Sequence, residues 1–173
     1  MIVHAMIDIE TLSQHTCAHI LTIAARIFDP ATGAMGDAIT LRTEPDHQMG
    51  AHIDPATVAW WARQSEAARI AAFSEDDAQS LHASLFALGR WMRSRGVSRV
   101  WCKGPSFDAA ILEDAYRRCG LSCPWQFHQV RDVRTIVERA GVAVERSSTL
   151  HDALADVDHQ IALVVEAHRA LQR

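Results

Sequence analysis

The chain has 173 residues, 49% of them hydrophobic and 22% charged, with a formal net charge of -4. That length suits one domain with a sizeable core, and the composition excludes a disordered or fibrous protein. The net acidity argues against a protein that coats duplex nucleic acid by electrostatics alone, since such domains are usually strongly basic, and leaves open an enzyme that grips a few nucleotides.

In chain order, Ile2 to Asp8 is rich in Ile, Val and Met and predicts a buried strand. The opening Met1-Ile2-Val3-His4-Ala5 lacks the basic and apolar regions of a secretory signal, so cytoplasmic residence is expected. Ile20 to Phe28 predicts a second strand. Asp29-Pro30-Ala31-Thr32-Gly33 reads as a turn into a third around Ala38 to Arg42, completing an antiparallel meander. Asp54-Pro55 starts a helix, Asp as N-cap and Pro in the first helical position, which continues through Trp60, Trp61 and beyond. Asp77 to Arg95 carries Leu81, Leu85, Leu88 and Trp91 or Met92 at a helical period and ends at Gly96. Val100 to Cys102 is a fourth strand, Gly104-Pro105-Ser106 a turn, and Phe107 to Cys119 a helix with Ile111, Leu112 and Ala115 inward. Phe127 to Val130 predicts a fifth strand. A last helix runs from about Thr149 to the C-terminus, with Ala153, Val157, Ile161 and Val164 on one stripe. This order implies an α/β layered domain on a mixed sheet, and no apolar run approaches the length of a membrane span.

Cys17, Cys102, Cys119 and Cys123 are too few and too irregularly spaced for a disulfide framework and read as reduced thiols. Cys119, Cys123 and His128 fit common zinc spacings poorly. Of the 17 basic residues only Lys103 is lysine, a bias towards the better bidentate phosphate partner.

Asp8 and Glu10 lie two apart at the end of the first strand, so their carboxylates share a face while Ile9 turns to the core. Two like charges there resist desolvation unless a cation compensates, unless Glu10 already lies solvated in a loop. Asp108 follows the fourth strand at the start of a helix, where the helix dipole alone could account for an acid. Open α/β sheets nevertheless deliver ligands at the carboxyl ends of their strands. In the last helix, Thr149 with Asp152 resembles a capping box, which leaves Asp156 without a structural job. His151 must sit on the turn entering the helix to share a site with Asp156, because five residues would turn them about 140° apart on an unbroken helix. As an isolated residue it reads as a surface histidine.

These segments resemble the DEDDh group of DnaQ-like 3′ to 5′ exonucleases: Asp8-Ile9-Glu10-Thr11, Ser106-Phe107-Asp108, and His151 followed by Asp156. The resemblance covers nearly the whole chain. Within that superfamily the chain is most similar to the phage DexA exonucleases, through Trp60-Trp61 with Gln64-Ser65, Trp101-Cys102-Lys103-Gly104 and Arg131-Asp132-Val133-Arg134-Thr135. The stretch from His151 to Asp156 also resembles the mycobacterial exoribonucleases grouped with DexA. Many superfamily members carry His-Asn where this chain has Lys103-Gly104, which bears on substrate preference.

The resemblance implies a single ribonuclease H-like domain over residues 1–173, three-layered around a mixed five-stranded sheet. Two Mg²⁺ or Mn²⁺ ions are implied, the hard cations that carboxylates suit. Asp8, Glu10 and Asp156 would hold the ion that activates water, Asp8 would bridge to the second with Asp108 helping, and His151 would accept the water's proton. The implied partner is an RNA or DNA 3′ end and the product a nucleoside monophosphate; a homodimer is implied as one option. Thr11, Trp61, Lys103, Phe107 and Arg131 are the substrate-contact candidates; one of Trp60 and Trp61, with Trp61 chosen, stacks on a base, against one Trp in the core and the other on the surface or in a subunit contact. Lys103, Arg131 and Arg134 are phosphate-contact candidates, against surface solvation or a structural ion pair. Two rival functions remain open: a catalytically silent binding module, and a hydrolase of small phosphodiesters.

Overall fold

A computed structural model describes residues 2–44, 48–144 and 151–172. Strands β1 (Val3–Thr11), β2 (Ile20–Phe28) and β3 (Met35–Arg42) form the expected antiparallel meander. Strands β4 (Val97–Cys102) and β5 (Val130–Asp132) continue the sheet in parallel on the other side of β1, in the order β3-β2-β1-β4-β5. The sheet is therefore mixed and five-stranded, with β1 at its centre, which is why β1 reads as an apolar run rather than an alternation.

Six helices complete the fold: α1 (Pro55–Trp61), α2 (Glu66–Phe73), α3 (Leu81–Ser94), α4 (Asp108–Arg118), α5 (Val133–Ala140) and α6 (Ala153–Leu171). Alternation along β1 assigns the two faces. Ala5, Ile7 and Ile9 pack with Leu85 and Leu88 of α3 and Ile111 and Leu112 of α4, whereas Met6 and Ala24 pack with Val157, Ile161 and Val164 of α6 and Val137 of α5. Each of the larger of these side chains (Val, Leu, Ile, Met), taken fully out of water, contributes roughly 1.5–3 kcal/mol. No helix among the described residues is long and apolar enough to cross a membrane.

The differences from the predicted elements have local causes. The helix expected to run past Trp61 breaks, and Ser65 restarts it as α2 by accepting from the Ala68 N–H. The helix expected from Asp77 begins only at Leu81 under a Ser80 cap, because Asp77 sits in a left-handed turn at φ 58°. Phe127–Gln129 is a 3₁₀ turn rather than a strand, and β5 lies just after it at Val130–Asp132. Helix α5 was not anticipated: Asp132 caps it by accepting from Arg134 N, and Gly141 ends it in the left-handed conformation. The expected capping role of Thr149 lies outside the described residues; Asp152 caps α6 by accepting from Leu154 N and Ala155 N.

Candidate active site

The β1 strand runs to Thr11, so Asp8 and Glu10 project from the strand itself and not from a loop beyond it. Both share the face of Met6, towards α6, while Ile9 is 3% exposed in the opposite core. Glu10 is buried and Asp8 half-buried. The loop between β4 and α4 brings Asp108 over from the other layer, where its Oδ1 accepts the Ile9 N–H at 3.3 Å and its side chain is buried. From α6, Asp156 joins them one turn into the helix. His151 occupies the preceding turn at φ 70°, a left-handed conformation, and donates its backbone N–H to Asp156 Oδ2 at 2.9 Å. Ligand atoms of Glu10, His151 and Asp156 lie within 4.8 Å of one another, an arrangement able to hold a metal ion. Asp8, Glu10, Asp108, His151 and Asp156 are thus brought together.

Their electrostatics express the crowding. Burial, and then the charges of Asp156 and Asp108, push Glu10 up to about 8. Asp8 is held well above the usual carboxylate range by burial and by Asp108, Glu10 and Asp156, against one hydrogen bond that favours its anion. Burial lifts Asp108 to about 7 despite the Ile9 N–H and the Arg134 charge. Asp156 is also raised by burial, opposed by the His151 N–H and imidazole and by Lys103. Four acids with raised proton affinity in one place form a site that a divalent cation would relieve. All four supply hard oxygen donors, so the residues present fit Mg²⁺ or Mn²⁺.

His151 moves the other way. Burial lowers its proton affinity more than Asp156 raises it, which favours the neutral imidazole. The burial comes from α1: the His151 ring lies 4.6 Å from Trp60 and 5.7 Å from Trp61, centroid to centroid.

Several residues of the site escaped the sequence reading. Gln160 donates from Nε2 to Asp8 Oδ1 at 2.7 Å, and its buried Oε1 has no partner. Its spacing of four from Asp156, which puts both on one helical face, was the available signal. Others are Arg63 and Gln14, which with Thr11, Trp60, Trp61, Phe107 and Glu10 line a cleft of about 400 Å³.

Among the substrate-contact candidates, Thr11 and Phe107 line that cleft, and Lys103 acts electrostatically on Asp156. The stacking expectation for Trp61 needs correcting: it is 2% exposed and its indole N–H donates to the Thr11 carbonyl at 2.9 Å, so it has no free face. Trp60, half-buried beside it, is the ring that borders open space. Arg131 turns one guanidinium nitrogen, Nη1, to the carbonyls of His128 and Val130, both at 2.8 Å. Cys119 and Cys123 pack against the hydrophobic core, and with His128 they form no metal-ligand group among the described residues.

The family model of the 3′-5′ exoribonuclease Rv2179c-like domain matches residues 3–168. An exodeoxyribonuclease of Enterobacteria phage T4 is 26% identical over 158 residues, covering 77% of this chain and 70% of the phage protein. Among solved structures, E. coli exonuclease I in complex with a dT13 oligonucleotide matches with a TM-score of 0.70 at 15% identity, over 95% of this chain and 40% of that one. The nuclease domain of 3′hExo, a DEDDh family member bound to rAMP, matches with a TM-score of 0.63 at 15% identity, over 98% of this chain and 92% of that one. These structural likenesses establish the ribonuclease H-like exonuclease fold, and the chain spans only 40% of the exonuclease I chain.

Proposed function

The chain belongs to the 3′-5′ exoribonuclease Rv2179c-like domain family, and from that premise we propose that it removes nucleotides from the 3′ end of single-stranded or 3′-overhanging RNA or DNA. The observation that carries the reading is the convergence of Asp8, Glu10, Asp108 and Asp156 from three separate elements, with ligand atoms of Glu10, His151 and Asp156 within 4.8 Å of one another. Such a cluster has no structural use, since its members repel and are costly to bury.

In this reading Asp8, Glu10, Asp108 and Asp156 would hold two Mg²⁺ or Mn²⁺ ions. When bound, the ions stabilise charge on the attacking and leaving oxygens of a phosphodiester. His151, kept neutral by burial against Trp60 and Trp61, accepts the proton of the attacking water. Its backbone N–H on Asp156 ties the base to a metal ligand and so sets their relative position. Gln160 orients Asp8. Trp60 offers a ring face to the terminal base, Phe107 and Thr11 line the same cleft, and Lys103 offers a positive charge to a phosphate near Asp156. The product is a nucleoside 5′-monophosphate.

The test incubates the protein with Mn²⁺ and 5′-end-labelled single-stranded and 3′-overhanging substrates, each as RNA and as DNA. A ladder shortening from the 3′ end is expected, with monophosphates as product. Absence of cleavage with retained binding would leave only a binding module, and turnover restricted to dinucleotides would make the protein a hydrolase of small phosphodiesters.

A further inference from the structure

The turn between β4 and α4 holds Gly104 at φ 116°, a backbone conformation that residues with a Cβ rarely adopt. A Cβ at that position would collide with Nη1 of Arg134 and lie 3.3 Å from its Cζ, so the glycine leaves room for the guanidinium. Arg134 is delivered there by the cap of α5, where Asp132 accepts from the Arg134 N–H at 3.1 Å and from the Thr135 hydroxyl at 2.7 Å. Its positive charge acts on Asp108, whose proton affinity it lowers.

Despite that proximity, the exposed guanidinium of Arg134 has neither a hydrogen bond nor an ion pair among the described residues. Several other arginines are occupied, Arg26 on Asp158, Arg95 on Asp37, Arg117 and Arg118 on Asp114, and Arg131 on two carbonyls; of those without a side-chain partner among the described residues, Arg63 lines the aromatic cleft and Arg134 lies beside Asp108. An arginine held at the edge of an acidic site, and left with its fork of donors open, suits a bidentate phosphate. The aromatic cleft is lined by Glu10, Thr11, Trp60 and Phe107, and neither Asp108 nor Arg134 borders it. The two features therefore flank the carboxylates at different places.

We propose that Arg134, seated over Gly104, binds the phosphate one linkage upstream of the bond being cut, so that the strand runs from the aromatic cleft across the carboxylates to Arg134. The assignment rests on the 3′-exonuclease reading and adds a contact with the nucleic-acid backbone that is independent of base sequence.

The test compares wild type, Arg134→Gln and Arg134→Lys on a single-stranded oligonucleotide with Mn²⁺ at several salt concentrations. A second oligonucleotide carries a neutral methylphosphonate at the linkage next to the terminal one. Arg134→Gln should raise KM about tenfold, the usual worth of a charge-assisted hydrogen bond, with kcat within twofold and the Mn²⁺ dissociation constant unchanged. The slope of log(kcat/KM) against log salt should flatten by about 0.7, one phosphate contact on a single strand. Arg134→Lys should restore the slope and part of KM. On the methylphosphonate substrate wild type should suffer the same loss, and Arg134→Gln should add little to it. An unchanged KM and slope in Arg134→Gln would overturn the proposal, as would an equal KM penalty on both substrates or a loss of Mn²⁺ affinity, either of which would mean that Arg134 acts by supporting Asp108. If wild type produces no 3′ ladder, the exonuclease reading fails instead.

Discussion

Two buried polar clusters sit on neighbouring strands and are built in opposite ways. Beside β2, Gln48 accepts the Ile20 N–H at 2.9 Å and donates to the Ile20 carbonyl at 2.6 Å and to Thr43 Oγ1 at 3.0 Å. The Thr43 hydroxyl reaches the carbonyls of Ile20 and Leu21. Every polar side-chain atom of that cluster has a partner in the protein. On β1, by contrast, Asp8 and Glu10 face Asp108 and Asp156, four groups of one sign whose proton affinities all rise, and Gln160 Oε1 beside them is buried without a partner. The first cluster is closed and holds the fold; the second is left open, and only something added from outside can complete it. Burial alone does not distinguish a structural polar group from a functional one, whereas the balance of donors, acceptors and charge does.

The sharpest way to break this contrast is Asp8→Ala. It should remove activity by about 10³-fold or more, since coordination supplies several kcal/mol of transition-state stabilisation. Its melting temperature in EDTA should match or exceed that of wild type, because one of four repelling acids is gone. A variant that keeps its activity, or that unfolds, would put Asp8 in the closed class. His151→Ala should lower kcat by about 10² to 10⁴. Calorimetric titration should then find Mn²⁺ binding retained on the four carboxylates; loss of binding would make His151 a ligand of the metal rather than the base.

Gln48→Ala tests the other cluster and should do the reverse. It orphans the Ile20 amide and takes a donor from Thr43 Oγ1, at a cost of about 1–3 kcal/mol in chemical denaturation, while kcat of the folded fraction stays at the wild-type value. The smallest effect is in pH. For Glu10 the folded-state value of about 8 lies above the ordinary 4.5, so the folded form binds the proton more tightly. Its contribution to stability is complete below the ordinary value and is lost as pH rises towards 8. Metal-free protein should accordingly melt lower at pH 8 than at pH 5, by on the order of 5 °C. Saturating Mn²⁺ should abolish that slope. A metal-free melting curve that is flat over this range would show that the acids are not crowded.

The sequence determined the parts that depend on local spacing. The period of two along β1 sets Asp8 and Glu10 on one side and Ile9 on the other, and Asp54-Pro55 starts α1 as expected. The meander of β1, β2 and β3 follows from short apolar runs separated by turn residues. His151 falls on the turn before α6, as its spacing from Asp156 required. Helix α5 stayed unread although its signal was in the chain: Val133, Ile136, Val137 and Ala140 repeat at a helical period between a capping Asp132 and a terminating Gly141.

Tertiary structure decided which of several equivalent residues meet the site. Trp60 and Trp61 are indistinguishable as letters. Only the packing of α1 against β1 gives Trp61 the Thr11 carbonyl and buries it, leaving Trp60 the more exposed of the two rings that line the cleft. Arg131 and Arg134 are equally plausible phosphate ligands in the chain, but the alternation of β5 and the turn into α5 send the first to nearby carbonyls and the second over Gly104. Gln160 gains a role only because α6 lies across β1 and meets Asp8, 152 residues earlier. Periodicity fixes the direction of a side chain relative to its own element. Whether that direction ends at a carboxylate, a carbonyl or solvent is set by the other elements that the fold brings opposite it, and those lie far away along the chain.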